Sequence, residues 1–369
     1  MPKRVTHLIV GLGKGGAETM LYQVLKYRTD PDLFYKVISL GQSHYYEDLI
    51  RQMGIPVVEV SLRKKPVSSL IRIFREIKGS DTLCCWMYHA NLIGYYLGRL
   101  AGVERIVWGI HHSDLSKELN SKTTLWLNKW CALISKKVNT VSYTGEIARS
   151  VHEAFGYFCG NGVVLSNGCN CEEYLPDIAA KELFCRELSI STECQLILSV
   201  TKDLPIKDIP TFIRAFAMQH KEHSDTVAVL CGSGVEAGNR QITDLCLTNG
   251  LTIGKDIFLL GMRHDVAHLL AACDLYVLHS AGEAFPVALV EAMACGCLCV
   301  ATDVGDVGRI MNDDLFICPP QNSGLLCATI QRAICLTDVQ KETIKEKNRT
   351  HAVSKYSIQS AVRSYESIY

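Results

Sequence analysis

Two successive series of short apolar runs, each run separated from the next by an amphipathic stretch, limit what this chain can fold into. In residues 5–165 the runs are VTHLIV, FYKVISL, PVVEV, DTLCCWM and ERIVWGI, with helical periodicity from about Gly16, near 45–53 and near 67–78. The alternation restarts at Gln195 with QLILSV, TVAVLCG, DIFLLG, DLYVLHS and LCVAT. Runs that stay apolar at nearly every position are strands buried on both faces, which requires helices above and below a mostly parallel sheet. Two such series in 369 residues predict two doubly wound domains, each large enough to bury its own core. The stretch SNGCNCEEYLPDIAAKELFCREL between them is rich in turn residues. This places an N-terminal domain at 1–170, a linker at 171–194 and a C-terminal domain at 195–350. Residues 351–369 form an amphipathic helix suited to either domain, a return to the first being one option. A ligand is expected in the cleft between the domains, at the carboxyl ends of the strands.

Apolar residues make up 48% of the chain and charged residues 21%, as in ordinary globular proteins. No apolar run reaches the roughly 18 residues of a membrane span, and MPKRVTHLIVGLGKGG leads directly into a strand and glycine loop without a cleavable signal. A cytosolic location is expected. The 17 cysteines are odd in number, several fall inside apolar periodic segments, and they are expected to be reduced core thiols. Neither Cys169 and Cys171 nor the 295–299 cluster has paired C-x-x-C spacing, so no metal is expected. Residues 1–180 hold 21 Lys+Arg against 16 Asp+Glu, and the remainder 17 against 22. The basic excess points the first half at an anionic membrane surface, with Arg63, Lys64, Lys65, Arg72, Arg75 and Lys78 as the contact; attraction between complementary halves explains it equally.

Glu283 and Glu291 lie eight residues apart across GEAFPVALVEAMACGC. Asp274 to Ser280 reads as a buried strand, and Pro286 suits the first turn of a helix running to about Cys295. Glu283 therefore sits in a strand-to-helix loop and Glu291 one to two turns along the helix, so the two carboxylates can line a cleft on the order of 10 Å long. That length fits a ligand with hydroxyls at both ends and an anion between them, resting on free N–H groups at the helix start. Glu291 stands in an almost uncharged run, where a carboxylate needs a partner.

Gly11, Gly13 and Gly16 form a literal G-x-G-x-x-G after a strand. A dinucleotide site also needs an acidic residue near the end of the second strand, but KVISLGQS is followed by no carboxylate before Glu47. The glycines are better suited to close backbone approach to a phosphate or a sugar.

The ordered set GGAE (Gly15 to Glu18), SNG (Ser166 to Gly168), SVTKDLPIKDIPTFIRAF (Ser199 to Phe216), LLG-x-R (Leu259 to Arg263) and E-x7-E resembles the family-4 retaining glycosyltransferases with the GT-B fold. The stretch WMYHANLIGYYLGRLAGVERIVWGIHHS is similar to the branch that builds bacterial surface polysaccharides such as O-antigen or capsule. The resemblance implies an α/β fold of two Rossmann-like doubly wound domains facing a central cleft. It also implies transfer of a sugar from a nucleotide diphosphate sugar, a UDP-sugar being favoured, to a lipid-linked glycan at the inner face of the plasma membrane, with retention of configuration.

Residue by residue, it implies that Lys202 and Lys207 neutralise the donor diphosphate, although the first position usually carries Arg, whose bidentate fork Lys lacks. Glu283 would hold hydroxyls of the transferred sugar, helped by the backbone amides of Ala284 and Phe285. Glu291 would hold the ribose, and Gly261 to Arg263 would lie near the base. Ala284 stands where Gly is common, so its methyl narrows the sugar pocket. Gly15 and Gly16 would approach the donor phosphates, and His111, with His112 beside it, matches a histidine set against the donor sugar. No cofactor, metal or nucleic acid is implied. An epimerase or hydrolase on the same fold, and a non-catalytic nucleotide-sugar binding protein, are the competing readings.

Overall fold

The computed structural model describes residues 3–41, 44–113, 115 and 121–369. The chain forms two compact units, one made of the residues up to Gly168 together with Ile358–Tyr369, the other of Cys169–Ser357. The first contains β1 (Lys3–Ile9), β2 (Leu33–Ser39), β3 (Val57–Glu59), β4 (Thr82–Trp86), β5 (Arg105–Ile110), β6 (Thr140–Tyr143) and β7 (Gly162–Val164). They pair in the order β3-β2-β1-β4-β5-β6-β7, every pair parallel. The second contains β8 (Gln195–Val200), β9 (Thr226–Cys231), β10 (Ile257–Leu259), β11 (Leu275–Leu278), β12 (Leu298–Thr302) and β13 (Ile317–Cys318). Their order is β10-β9-β8-β11-β12-β13, again all parallel.

Burial accounts for the unbroken apolar runs. In β1 Val5, Leu8 and Ile9 are almost fully buried, and so are Thr6 and His7 between them. In β9 all six residues are buried. A strand with helices on both faces has no polar side to show in the sequence. In each sheet the first strand of the series lies inside, and the chain builds to one edge before crossing to the other side. The order therefore reverses between β1 and β4 and between β8 and β11, and the carboxyl ends at those two points are where loops diverge and leave room for a ligand.

The expected linker is part of the second unit. Residues 180–188 form a helix, Ala180–Leu188, that buries Ala180, Phe184 and Cys185 in that unit's core. Turn residues at 166–178 concealed an apolar stripe just beyond them. At the other end, the 351–369 stretch is divided: the Asp338–Tyr356 helix stays with the second unit, and the Ile358–Glu366 helix belongs to the first.

Aromatic packing fixes that last helix. Tyr365 stacks on Trp86 at 5.7 Å between ring centroids, and Tyr369 meets His7 edge-on at 5.5 Å. The Thr82 hydroxyl donates to the Tyr369 carbonyl at 2.8 Å. Trp86 Nε1–H donates to His7 Nδ1 at 3.1 Å, which requires a neutral ring, and burial pushes the His7 pKa down to about 3. The cysteines are unpaired thiols, buried except for Cys159 and Cys335.

Tyr365 is 3% exposed, and its removal leaves a void against Trp86. Tyr365→Ala is expected to destabilise the first unit by about 3 kcal/mol. Urea unfolding followed by tryptophan fluorescence, which reports Trp86 and Trp108 in that unit, checks this.

Candidate active site

The reversal between β8 and β11 gathers most of the candidate residues. After β8 the chain makes a short turn, Pro205–Lys207, and enters the Ile209–Glu222 helix through Asp208, whose φ of 50° is left-handed. After β11 it runs through Ser280–Phe285 to the Val287–Ala294 helix, with Pro286 as N-cap. Two contacts tie these loops together. The Ala281 N–H donates to the Ile206 carbonyl at 2.8 Å, and Lys207 Nζ is ion-paired with Glu283 Oε1. The pair is well sheltered, with side-chain exposures of 24% for Lys207 and 12% for Glu283. Ser280 Oγ donates to the same Glu283 oxygen at 2.7 Å, and Thr302 Oγ1 donates to the Ser280 carbonyl at 2.7 Å. A carboxylate and an ammonium are thus fixed at the carboxyl ends of two adjacent central strands. Lys202 is exposed on the same loop as Lys207.

Three glycines outside the sequence-based set allow the loops to pass so closely. A Cβ at Gly232 (φ +137°) would lie 1.6 Å from the Thr201 carbonyl oxygen, and one at Gly234 (φ +81°) 2.7 Å from Asp203 Cβ. A Cβ at Gly305 (φ +51°) would lie 2.5 Å from the Glu283 carbonyl oxygen and 3.0 Å from that of Ala284. The loops after β8, β9 and β10 are also sewn together by Thr201 N–H to the Cys231 carbonyl (2.8 Å), Gly232 N–H to the Gly261 carbonyl (2.7 Å) and Asn239 Nδ2 to Asp203 Oδ2 (2.8 Å). The pattern C-G-S-G after the apolar run of β9 was the visible signal for Gly232 and Gly234. Nothing local signalled Gly305, because its neighbour is remote in sequence.

Arg263, placed near a base by the resemblance, has its guanidinium taken up by two carboxylates, Glu187 and Asp265, each at 2.6 Å. Those hydrogen bonds, to Asp265 first and then Glu187, raise its pKa. It clamps the Ala180–Leu188 helix to the loop after β10. Gly261 (φ +64°) donates its N–H to the Val235 carbonyl at 2.8 Å. The Phe285 side chain is buried edge-on against Tyr356 at 5.7 Å, so what Phe285 offers a ligand is its backbone.

Glu291 lies on the Val287–Ala294 helix, half-buried. Burial pushes its carboxyl up to about 7; a hydrogen bond with Tyr174 works in the opposite direction and nearby Glu173 adds to the rise. Burial and then Cys299, Glu283 and Glu291 raise the hydroxyl of Tyr276, which lies fully buried beneath the site.

Gly15, Gly16 and His111 are in the first unit. Gly15 is the extended N-cap of the Gly16–Lys26 helix, and a Cβ at Gly16 would meet nothing within 4 Å, so open space rather than packing surrounds it. His111 follows β5 and stacks on Trp86 at 4.9 Å with its Nδ1 buried and unpartnered; burial lowers its pKa to about 3. Of the adjacent pair it is His111 that packs on Trp86, while His112 acts electrostatically on His152.

Residues 181–350, nearly the whole of the second unit and all of its loops described above, match the family model described as glycosyl transferases group 1. The second unit carries a group 1 glycosyltransferase domain. The chain is 25% identical over 366 residues to the putative glycosyltransferase EpsF of Bacillus subtilis, covering 93% of this chain and 91% of that protein. It is 23% identical over 336 residues to the UDP-Gal:alpha-D-GlcNAc-diphosphoundecaprenol alpha-1,3-galactosyltransferase of Escherichia coli, covering 88% and 85%. The crystal structure of Anabaena Alr3699/HepE in complex with UDP superposes with a TM-score of 0.87 over 99% of this chain and 98% of that one, at 21% identity. The fold, two parallel-sheet Rossmann-like units, is that of the GT-B glycosyltransferases.

A carboxyl held at about 7 against an ordinary 4.5 makes the folded state bind more protons than the unfolded one between those values. Stability then falls as pH rises through that window and levels off above it. Glu291→Gln keeps the neutral form at every pH. It is expected to match the parent below pH 4.5 and to exceed it above pH 7, as read from urea midpoints across that range.

Proposed function

We propose that this chain is a retaining glycosyltransferase that moves a sugar from a nucleotide diphosphate sugar, a UDP-sugar, to a lipid-linked glycan during surface-polysaccharide assembly. The observation that carries the reading is the sheltered Lys207–Glu283 pair at the β8/β11 reversal, inside the segment that matches group 1 glycosyltransferases. The UDP-bound structural neighbour supports the donor class. The Escherichia coli relative, which acts on a diphosphoundecaprenol-linked sugar, supports the acceptor class.

The chemistry asked of the site is modest. The bond from the anomeric carbon to the donor phosphate breaks, the bond to the acceptor oxygen forms, and charge develops on the departing nucleoside diphosphate. Lys207, with Lys202 on the same loop, supplies positive charge where that negative charge appears, and the first amides of the Val287–Ala294 helix add partial charge of the same sign. Fixed in advance, such charges need no reorganisation in the transition state. Glu283 accepts from hydroxyls of the sugar and, through its contact with Lys207, couples sugar placement to diphosphate placement. Glu291 accepts from the ribose hydroxyls, and Ala284, next to Glu283, narrows the sugar pocket. In the first unit, the open space at Gly16 is offered to a donor phosphate, next to Gly15, whose free side is taken by the Glu18 carboxylate, and His111 is offered as a neutral imidazole for the donor sugar.

Retention follows if the acceptor attacks on the face that the diphosphate leaves, with the donor phosphate taking the acceptor proton. No metal is needed when two lysines and a helix start neutralise the leaving group.

Nucleoside diphosphate release from a panel of UDP-, GDP- and dTDP-sugars, with and without a lipid-linked glycan extract, tests the reading. Release is expected to require one donor and the extract together. Glu283→Gln and Lys207→Ala are each expected to lower kcat by about a hundredfold or more while the proteins stay folded. Rapid release without acceptor would replace the transferase by a hydrolase or epimerase, and donor binding without turnover would make the protein a binder.

A further inference from the structure

The first unit displays tryptophans on its surface. On the Lys122–Ile134 helix, Asn128, Cys131 and Ile134 face the core, while Trp126 is 58%, Trp130 43% and Leu133 68% exposed. At 100° per residue, Lys122, Trp126, Lys129, Trp130 and Leu133 fall on one outward stripe, and Lys136 and Lys137, both exposed, continue it. The two indoles form an edge-to-face pair at 5.9 Å. The neighbouring Tyr88–Leu100 helix packs alongside and exposes Tyr96, Arg99 and Leu100. Arg99 donates to the Lys137 carbonyl, which holds the two helix ends together.

An apolar face of this kind needs an occupant. We infer that the stripe Lys122–Trp126–Lys129–Trp130–Leu133 docks this protein on an anionic lipid bilayer. Charge selects the occupant. Neither helix carries a carboxylate, and the stripe holds four lysines counting Lys136 and Lys137. A second copy placed here by a two-fold axis would set lysine against lysine. A bilayer surface offers acyl boundary to the indoles and leucine, and anionic headgroups to ammonium groups that reach past them. Among the described residues no helix is long and apolar enough to cross a membrane, so the contact is with the surface. The inference deepens the proposed function by naming the face that meets the membrane of a lipid-linked acceptor. It moves the anchor from Arg63, Lys64 and Lys65 to the tryptophan helix.

The chain's four tryptophans make the test direct, because Trp86 and Trp108 are buried and only Trp126 and Trp130 can reach lipid. Vesicles of phosphatidylcholine with and without phosphatidylglycerol, and the same vesicles with brominated acyl chains, are titrated while tryptophan emission and co-sedimentation are followed. Binding that requires the anionic lipid, with bromine quenching, is expected. Trp126→Ala with Trp130→Ala should weaken binding about tenfold or more, and so should Lys122→Gln with Lys129→Gln. Trp126→Phe with Trp130→Phe should keep most of the binding while losing the quenching, which separates lipid contact from misfolding. The inference fails if binding persists unquenched, if it survives the alanine pair but not Arg63→Gln, Lys64→Gln and Lys65→Gln together, or if light scattering shows a dimer that the alanine pair dissolves. Release of nucleoside diphosphate with a detergent-dispersed acceptor should be unchanged in every one of these variants. Its absence in the parent protein would count against the proposed function and leave the vesicle result standing.

Discussion

The contact between Lys207 and Glu283 joins the two loops that leave the centre of the second sheet, and the arrangement around it is built to keep it. An ion pair this sheltered gains little net stability, because desolvation of both groups offsets most of their attraction; what it provides is position. Ser280 fixes the carboxylate, Thr302 fixes Ser280, and the Ala281–Ile206 backbone contact fixes the separation of the loops. Removing either charge leaves the other without its partner in a place where water reaches it poorly, so the two side chains act as a unit.

The glycines explain how the loops after β8 and β9, and those after β11 and β12, come so near one another. Gly232, Gly234 and Gly305 all have positive φ, and a methyl at any of them would overlap an atom of the neighbouring loop, carbonyl oxygens of the chain at Gly232 and Gly305 among them. With the loops locked, the chain's freedom is spent before a ligand arrives, which is how a site places charge without reorganising. Arg263 serves the same end from farther away, by clamping a helix to the loop after β10.

Much of this was legible in the sequence, and the exceptions share a cause. Buried parallel strands appear as runs without alternation, so β8 and β11 could be placed, and Pro286 marked the helix start after Glu283. Glu283 and Glu291 followed from their positions on those elements, whereas Lys202 and Lys207 were singled out only by the resemblance to the family-4 glycosyltransferases. Gly305 and Ser280 could not be found this way: the residues Gly305 lies against are distant in sequence, and nothing local distinguishes Ser280 from a turn residue. The Ala180–Leu188 helix was hidden by the turn-rich segment before it, and the ion pair of Arg263 with Glu187 joins residues too far apart in sequence to be read locally. Trp126 and Trp130 were missed for the opposite reason: tryptophan in an amphipathic helix normally signals the core, and only the fold shows that here it faces outward.

The central claim is that Lys207 and Glu283 operate as one unit on the donor. A double-mutant cycle on kcat/KM with Lys207→Ala, Glu283→Gln and the combined variant measures it most directly. The account predicts that the double variant is hardly slower than the worse single variant. Losses that multiply, as for two independent groups, would contradict it.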